Sequence, residues 1–207
     1  MAVSSGKAGG VFASTQAVPV AFTNEASVAD AAHVRYSIAN RVKAAWPIGM
    51  ALVVKVAGAV VTTGFTVEWA VGSVVFDTAL SAEVVTFAGT YAPVVEMGGF
   101  YAWTCEQSAP AVSTTDFIAA RGDFETFACL GINSGNVKAT RFWDTMGFRD
   151  RVGVPCLIRC YVSVATGDHF AAWAIPKSSS ASADKTKAID EPIEFALVGP
   201  LYHRDTN

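Results

Sequence analysis

Residues 72–91 read GSVVFDTALSAEVVTFAGTY. Two runs rich in Val and Phe, at 73–76 and 84–91, flank a short polar stretch. Each run is too short for a globular helix, and β-branched and aromatic residues suit a pleated strand. Working outward, residues 33–39 (HVRYSIA) alternate, with Val34, Tyr36 and Ile38 on one face. Further strands are expected at 51–57, 60–63 and 65–69, and Gly58, Gly64, Gly72 and Gly89 fall at or near their ends. Many short strands with glycine punctuation indicate an antiparallel sandwich or barrel. Asn40 can cap a helical turn, RVKAA, which Pro47 stops. The Val-Val pairs hold no fixed period, so no internal repeat is read.

The pattern changes at Glu96-Met97-Gly98-Gly99. Three regions are expected: an N-terminal arm (1–20), a β-rich N-terminal domain (21–97) and a β core (98–207). Residues 100–108 read as a strand with Tyr101, Trp103 and Cys105 on one face and Ala102, Thr104, Glu106 and Ser108 on the other. Strands follow at 124–132, 137–143, 156–164, 169–175 and 193–198. Asp144 has the chemistry to cap a short helix, TMGFRDRV, ending at Gly153 and Pro155. Residues 1–14 and 177–187 are small and polar. They bury too little apolar surface to offset an ordering cost of roughly 1–2 kcal/mol per residue. The first is read as an arm with no core of its own and the second as a mobile loop. Both are expected to order on assembly.

Hydrophobic residues make up 52% of the 207 positions and charged residues 16%. The charged share is well below the quarter usual for soluble domains, so the chain needs a large core or buries surface in an assembly. The longest apolar stretch, 44–61, is broken by Pro47, Gly49, Lys55 and Gly58, which argues against a transmembrane helix. The N-terminus, MAVSSGKAGGVFASTQ, lacks the charged and apolar regions of a signal peptide. Four cysteines in such a chain read as free thiols. A net charge of −3 leaves no basic nucleic-acid footprint.

No constellation of catalytic residues emerges, and the chain is read as no enzyme, with no cofactor and no metal site. Cys156 and Cys160 in CLIRC share a strand face with Ile158 and Val162, which is the pattern of core packing. Asp168-His169 reads as a turn Asp beside a strand-end His, because no GxSxG or Cys/His signature supplies the nucleophile, base and orienting group together. Asp190, Glu191 and Glu194 form an acidic cluster that reads as a solvated strand edge or as an anionic lining.

The order of motifs carries a resemblance. Y-S-I (36–38), V-V-K-V-x-G (53–58), G-F-T-V-E-W (64–69), G-S-V-V-F (72–76) and V-V-T-F-x-G-x-Y (84–91) lie in the first half. A-W-T-C-E (102–106), S-T-T-D-F (113–117), R-F-W-D (141–144), C-L-I-R-C-Y-V (156–162) and I-E-F-A-L-V-G-P (193–200) lie in the second. Together they resemble the tail tube proteins of long-tailed, siphovirus-type bacteriophages. One run departs from the pattern, since related tubes often carry Thr-Thr-Phe where this chain has Ser113-Thr114-Thr115-Asp116-Phe117.

The resemblance implies a mainly β structural virion protein, made in the host bacterial cytoplasm and located in the tail. Its tube core would be an antiparallel β-sandwich or barrel with one short flanking helix. Subunits would form hexameric rings that stack into a hollow tube through which DNA is ejected. Its partners would be copies of itself and the tail terminator, tape measure and distal tail proteins. Genomic DNA would pass through without sequence-specific binding or membrane insertion. A different virion β module, such as a decoration, baseplate or adhesin-type protein, is the alternative, and it would not polymerise into tubes. A transit channel should not be strongly basic, because DNA carries about one negative charge per 1.7 Å of duplex axis. The candidate lumen residues are therefore Thr104, Glu106, Ser108 and Glu194, with Asp190 and Glu191 near the rim. Arg159 is expected to pair with a neighbouring carboxylate. Candidate inter-subunit residues are Lys177, Ser180, Asp184 and Lys187.

Overall fold

The computed structural model describes residues 9–15, 18–108, 111–113, 127–129, 134–142, 151–180 and 189–204. Its strands, in chain order, begin with β1 (Gly10–Ser14), β2 (Val20–Ala29), β3 (Arg35–Ile38), β4 (Val53–Val56), β5 (Ala59–Val61), β6 (Phe65–Glu68), β7 (Ser73–Phe76), β8 (Val85–Tyr91) and β9 (Val94–Met97). They continue with β10 (Phe100–Ser108), β11 (Ala111–Ser113), β12 (Phe127–Cys129), β13 (Ser134–Phe142), β14 (Cys156–Ser163), β15 (Asp168–Ser179), β16 (Asp190–Leu197) and β17 (Tyr202–Arg204). The protein is mainly β, and every strand pairing among the described residues is antiparallel.

The first sheet runs β5-β4-β8-β2-β3-β7-β6. Strand β2 is its pivot, because its first part pairs with β8 and its last three residues pair with β3. The register slips between Phe22 and Glu25, where Asn24 takes a left-handed φ of 50°. Such a bulge bends and twists a strand, and here it lets one sheet curve over a single core. That core holds Phe22, Tyr36, Ile38, Trp46, Val54, Val74, Phe76 and Phe87. Asn40 caps the 3-10 turn Arg41–Lys43 by accepting from the Val42 N–H, and the chain then carries Trp46 inward. Trp46 is fully buried, packs edge-on to Phe87 at 5.3 Å, and donates its indole N–H to the Lys43 carbonyl at 2.9 Å.

The second sheet runs β10-β13-β16-β15-β14-β1-β9, with β17 beside β15. Its two end strands, β9 and β10, are consecutive in sequence and joined by Gly98-Gly99. A two-residue connection between opposite ends forces the sheet to curl back on itself, and Gly99 makes the turn with a φ of +80°. The curl encloses Val11, Val137, Ala139, Ile158, Cys160, Ile193 and Phe195.

A third cluster joins the two sheets through Ala45, Ala70, Val71, Ala92, Leu157, Ala171 and Trp173. The small residues allow close approach. A Cβ on Gly72, which has a φ of +63°, would stand 2.6 Å from the Ala44 Cα. The Trp173 indole donates to the Trp46 carbonyl at 2.9 Å, and Arg204 donates to the Val71 carbonyl at 2.7 Å.

Several expectations are corrected. Residues 10–14 are no arm. They form β1, wedged between β14 and β9 with four of five residues buried. Its burial depends on partners 80 or more residues away, so the Gly- and Ala-rich sequence carries little local trace of it. Strand β9 also belongs to the second sheet, so sheet membership changes between β8 and β9 rather than at the glycine pair. Strand β2 was not foreseen, because its mostly exposed sequence, VAFTNEASVA, lacks a continuous apolar face. Residues 177–179 extend β15 instead of opening a loop. The expected helix falls mostly on residues 145–150, which lie outside the described residues, as do positions 181–187 of the expected loop.

Candidate functional site

The face that the sequence marks is the outer face of β10, β13 and β16. Two register pairings build it: Thr104 lies opposite Lys138, and Lys138 opposite Glu194. The row continues to Ser178 on β15. One step along, Glu106 lies opposite Asn136. Side chains alternate across a pleated sheet, so these polar residues share the face opposite Trp103, Cys105, Val137, Ile193 and Phe195, which pack on the core side. Thr104, Glu106, Ser108 and Lys138 are exposed, and Glu194 is half-buried. Lys138 was missed as a candidate. It lies inside the strand expected at 137–143, where it alternates with the apolar Val137 and Ala139, but its place beside Thr104 is set by the strand registers. The face thus carries two carboxylates around one ammonium and is not uniformly acidic.

Strand β10 is an end strand, with β13 as its pairing partner among the described residues. Its alternation breaks at one place. The register slips between Phe100 and Ala102, which turns Tyr101 off the Trp103 face. Tyr101 packs against Phe142 instead, with the rings tilted and their centroids 4.7 Å apart. Partial desolvation and the neighbouring Asp190 carboxylate raise its pKa.

Glu191 departs most from expectation. It is expected near the rim of a bore but is fully buried. One carboxylate oxygen accepts from the Arg141 Nε at 2.5 Å and the other from the Ser179 hydroxyl at 2.5 Å. Arg141 is opposite Glu191 in the β13–β16 register. The pair staples three adjacent strands, and Glu191 contributes nothing to a surface. Asp190, one residue earlier, is half-buried on the other face. Of the inter-subunit candidates, Lys177 and Ser180 are exposed, whereas Asp184 and Lys187 lie outside the described residues.

The remaining titratable groups sit where β14 faces the first sheet. Cys156, Ile158 and Cys160 point into the second core as expected, and burial pushes the Cys156 thiol up to about 11. Leu157 and Arg159, on the opposite face, are also buried, so β14 is covered on both sides. Arg159 has no carboxylate partner among the described residues, contrary to expectation. It bonds the Tyr161 side chain, and its Nε is buried without a partner. His169 is buried and donates from Nδ1 to the Gly167 carbonyl at 2.7 Å. Burial, opposed by that bond and reinforced by Arg159, Arg204 and Arg41, pushes its pKa down to about 4. Asp168 accepts from the Thr166 hydroxyl at 3.1 Å. Among the described residues no group of three or more His, Cys, Asp or Glu is arranged to hold a metal, and no helix is long and apolar enough to cross a membrane.

No protein-family model matches this sequence, and no curated protein matches it. Among solved structures, the chain is similar to one described as the tail of an empty GTA particle, obtained by helical refinement with C6 symmetry. The two share 11% identity at a TM-score of 0.45, over 55% of this chain and 87% of the other. A likeness this shallow transfers neither shape nor assembly from one chain to the other.

Proposed function

We propose that this protein is a structural tail subunit of a phage-like particle, and that copies associate into stacked rings forming a hollow tube for DNA. The observation that carries the reading is strand β10. It is a nine-residue end strand with one strand partner among the described residues and a polar outer face. A long open edge is a template for pairing with another chain, and ring closure satisfies it. A repeated head-to-tail contact that closes makes a ring. The order of sequence motifs shared with tail tube proteins supports the same reading.

In this assembly the Thr104–Lys138–Glu194 face would line the bore, with Glu106 beside it. Sixfold repetition would multiply each wall charge and concentrate its field. Two carboxylates against one lysine would leave the wall weakly anionic, which suits passage of a polyanion. Negative-stain electron microscopy of the purified protein tests the reading. Hollow tubes or six-fold rings are expected. A protein that stays monomeric at high concentration overturns self-assembly and favours a virion β module that does not polymerise.

A further inference from the structure

Where the two sheets meet, the sequence brings together three arginines from three separate elements. Arg41 comes from the 3-10 turn, Arg159 from β14 and Arg204 from β17. All three line one cavity of about 280 Å³, together with Phe12, Tyr161 and His169. The cavity is graded in exposure. Arg159 is 7% exposed, Arg204 is half-buried and Arg41 is exposed. This puts Arg159 at the floor and Arg41 at the mouth.

The charge in this cavity is uncompensated by the described residues. None of the three arginines forms an ion pair there, and the neighbouring Glu68 is held by Arg35 at 2.8 Å. Arg204 spends one N–H on the Val71 carbonyl. The Arg159 Nε donor is buried and has no partner. His169 adds no further positive charge, because its lowered pKa of about 4 leaves it a neutral imidazole at neutral pH. A buried donor left unmade is costly, and a buried charge needs a partner. The crowding also shows in Arg204, whose pKa is pushed down to about 10 by burial and then by Arg41 and Arg159.

We propose that this cavity binds a phosphate group, held by Arg159 at its floor and by Arg204 and Arg41 above it. Planar guanidinium forks match tetrahedral oxyanions. A carboxylate would bring one negative charge against three positive ones. A phosphate group brings about 1.5–2 near neutral pH, with more acceptor oxygens. The group can arrive as free inorganic phosphate or as the end of a phosphate ester. The site lies at the junction of the two sheets, so its occupation would clamp β14 and β17 to the turn that carries Arg41. This inference is independent of the tail reading, since a monomer would show it equally.

Thermal unfolding of the full chain tests it, in inorganic phosphate and in ethyl phosphate, each against sodium chloride of equal ionic strength. Phosphate at about a hundred times its dissociation constant should raise the midpoint by roughly 5 °C, in a saturable manner. A response to both probes assigns the site to esters as well, and a response to inorganic phosphate alone restricts it to the free ion. Arg41→Gln, at an exposed position, should fold normally and lose most of the response. Arg159→Met should abolish it. An equal shift in chloride, or an undiminished phosphate response in Arg41→Gln, overturns the proposal. So does a stabilisation that follows protein concentration instead of phosphate, since the occupant is then a group from a second copy.

Discussion

The two sheets solve the same problem with different cores. The first sheet closes over aromatic rings: Phe22, Tyr36, Trp46, Phe76 and Phe87. Its ion pairs, Arg35–Glu68 and Lys43–Glu25, are part-buried at the margin of that core. The second sheet packs Val, Ala, Cys and Ile around Phe195 and buries charge at Arg141, Glu191 and Arg159. Aromatic side chains bring large area and tolerant geometry. Small side chains leave the outcome to register, and a buried charge is safe only beside its partner. The first core should therefore behave as a sum of burial terms and the second as a set of pairings.

Trp46→Ala should produce one of the two largest losses, about 3–5 kcal/mol, because it empties the centre of the aromatic core. It also disturbs the segment whose carbonyl anchors Trp173. Denaturant unfolding followed by fluorescence measures it. A loss below about 1 kcal/mol would break the comparison, since the first core would then not hang on its aromatics.

Glu191→Leu should cost about 3–5 kcal/mol by stranding Arg141 in the interior. Adding Arg141→Met should recover most of that loss, because two apolar residues replace a paired charge at similar volume. Urea midpoints of the two single variants and the double variant decide it. Simple additivity of the two losses would show that the residues do not act as a pair.

His169 makes the contrast pH-dependent. Its folded-state pKa of about 4 lies below the unfolded value of 6.5, so the unfolded chain takes up the proton first as pH falls. Its contribution is intact above pH 6.5 and is lost progressively down to about pH 4, a fall on the order of 2–3 kcal/mol. Stability of the wild type and His169→Gln across that window should differ in slope, with the variant flatter. Equal slopes would remove His169 as the cause.

Glu106→Lys should change stability least, by under about 0.5 kcal/mol, because the residue is exposed on an end strand. If the protein forms the proposed tube, the double variant with Glu194→Lys should leave assembly intact in electron micrographs and slow DNA release in an infectivity assay. Unchanged infectivity with intact tubes would mean that wall charge at these positions has no effect.

Much of the fold was legible because strand alternation is a local property. The stretches at 65–68, 73–76, 85–91, 100–108 and 156–163 follow from apolar runs and turn residues that lie side by side in sequence. The inward faces of CLIRC and of Trp103 and Cys105 follow from the same two-residue period. The Tyr101 face was misread because a bulge, which leaves no apolar signal of its own, shifts the period by one. Strand β2 escaped for a related reason, as its bulge at Asn24 interrupts any pattern its polar sequence holds.

The chemistry of the candidate face divides along the same line. That Thr104, Glu106 and Glu194 point away from the core was written in their alternation with apolar neighbours. That Lys138 sits between Thr104 and Glu194 needed the registers of two strand pairs. That Glu191 is buried needed Arg141, fifty residues away in the chain. By itself the sequence determined a mainly β chain, the position of most of its described strands and the faces of the regular ones. Tertiary structure alone decided that β1 completes the second sheet, that Glu191 is a staple and not a rim residue, and that Arg41, Arg159 and Arg204 share one cavity. The physical reason is range. Alternation is set between neighbouring residues, whereas charge partners are chosen by registers that bring distant segments together.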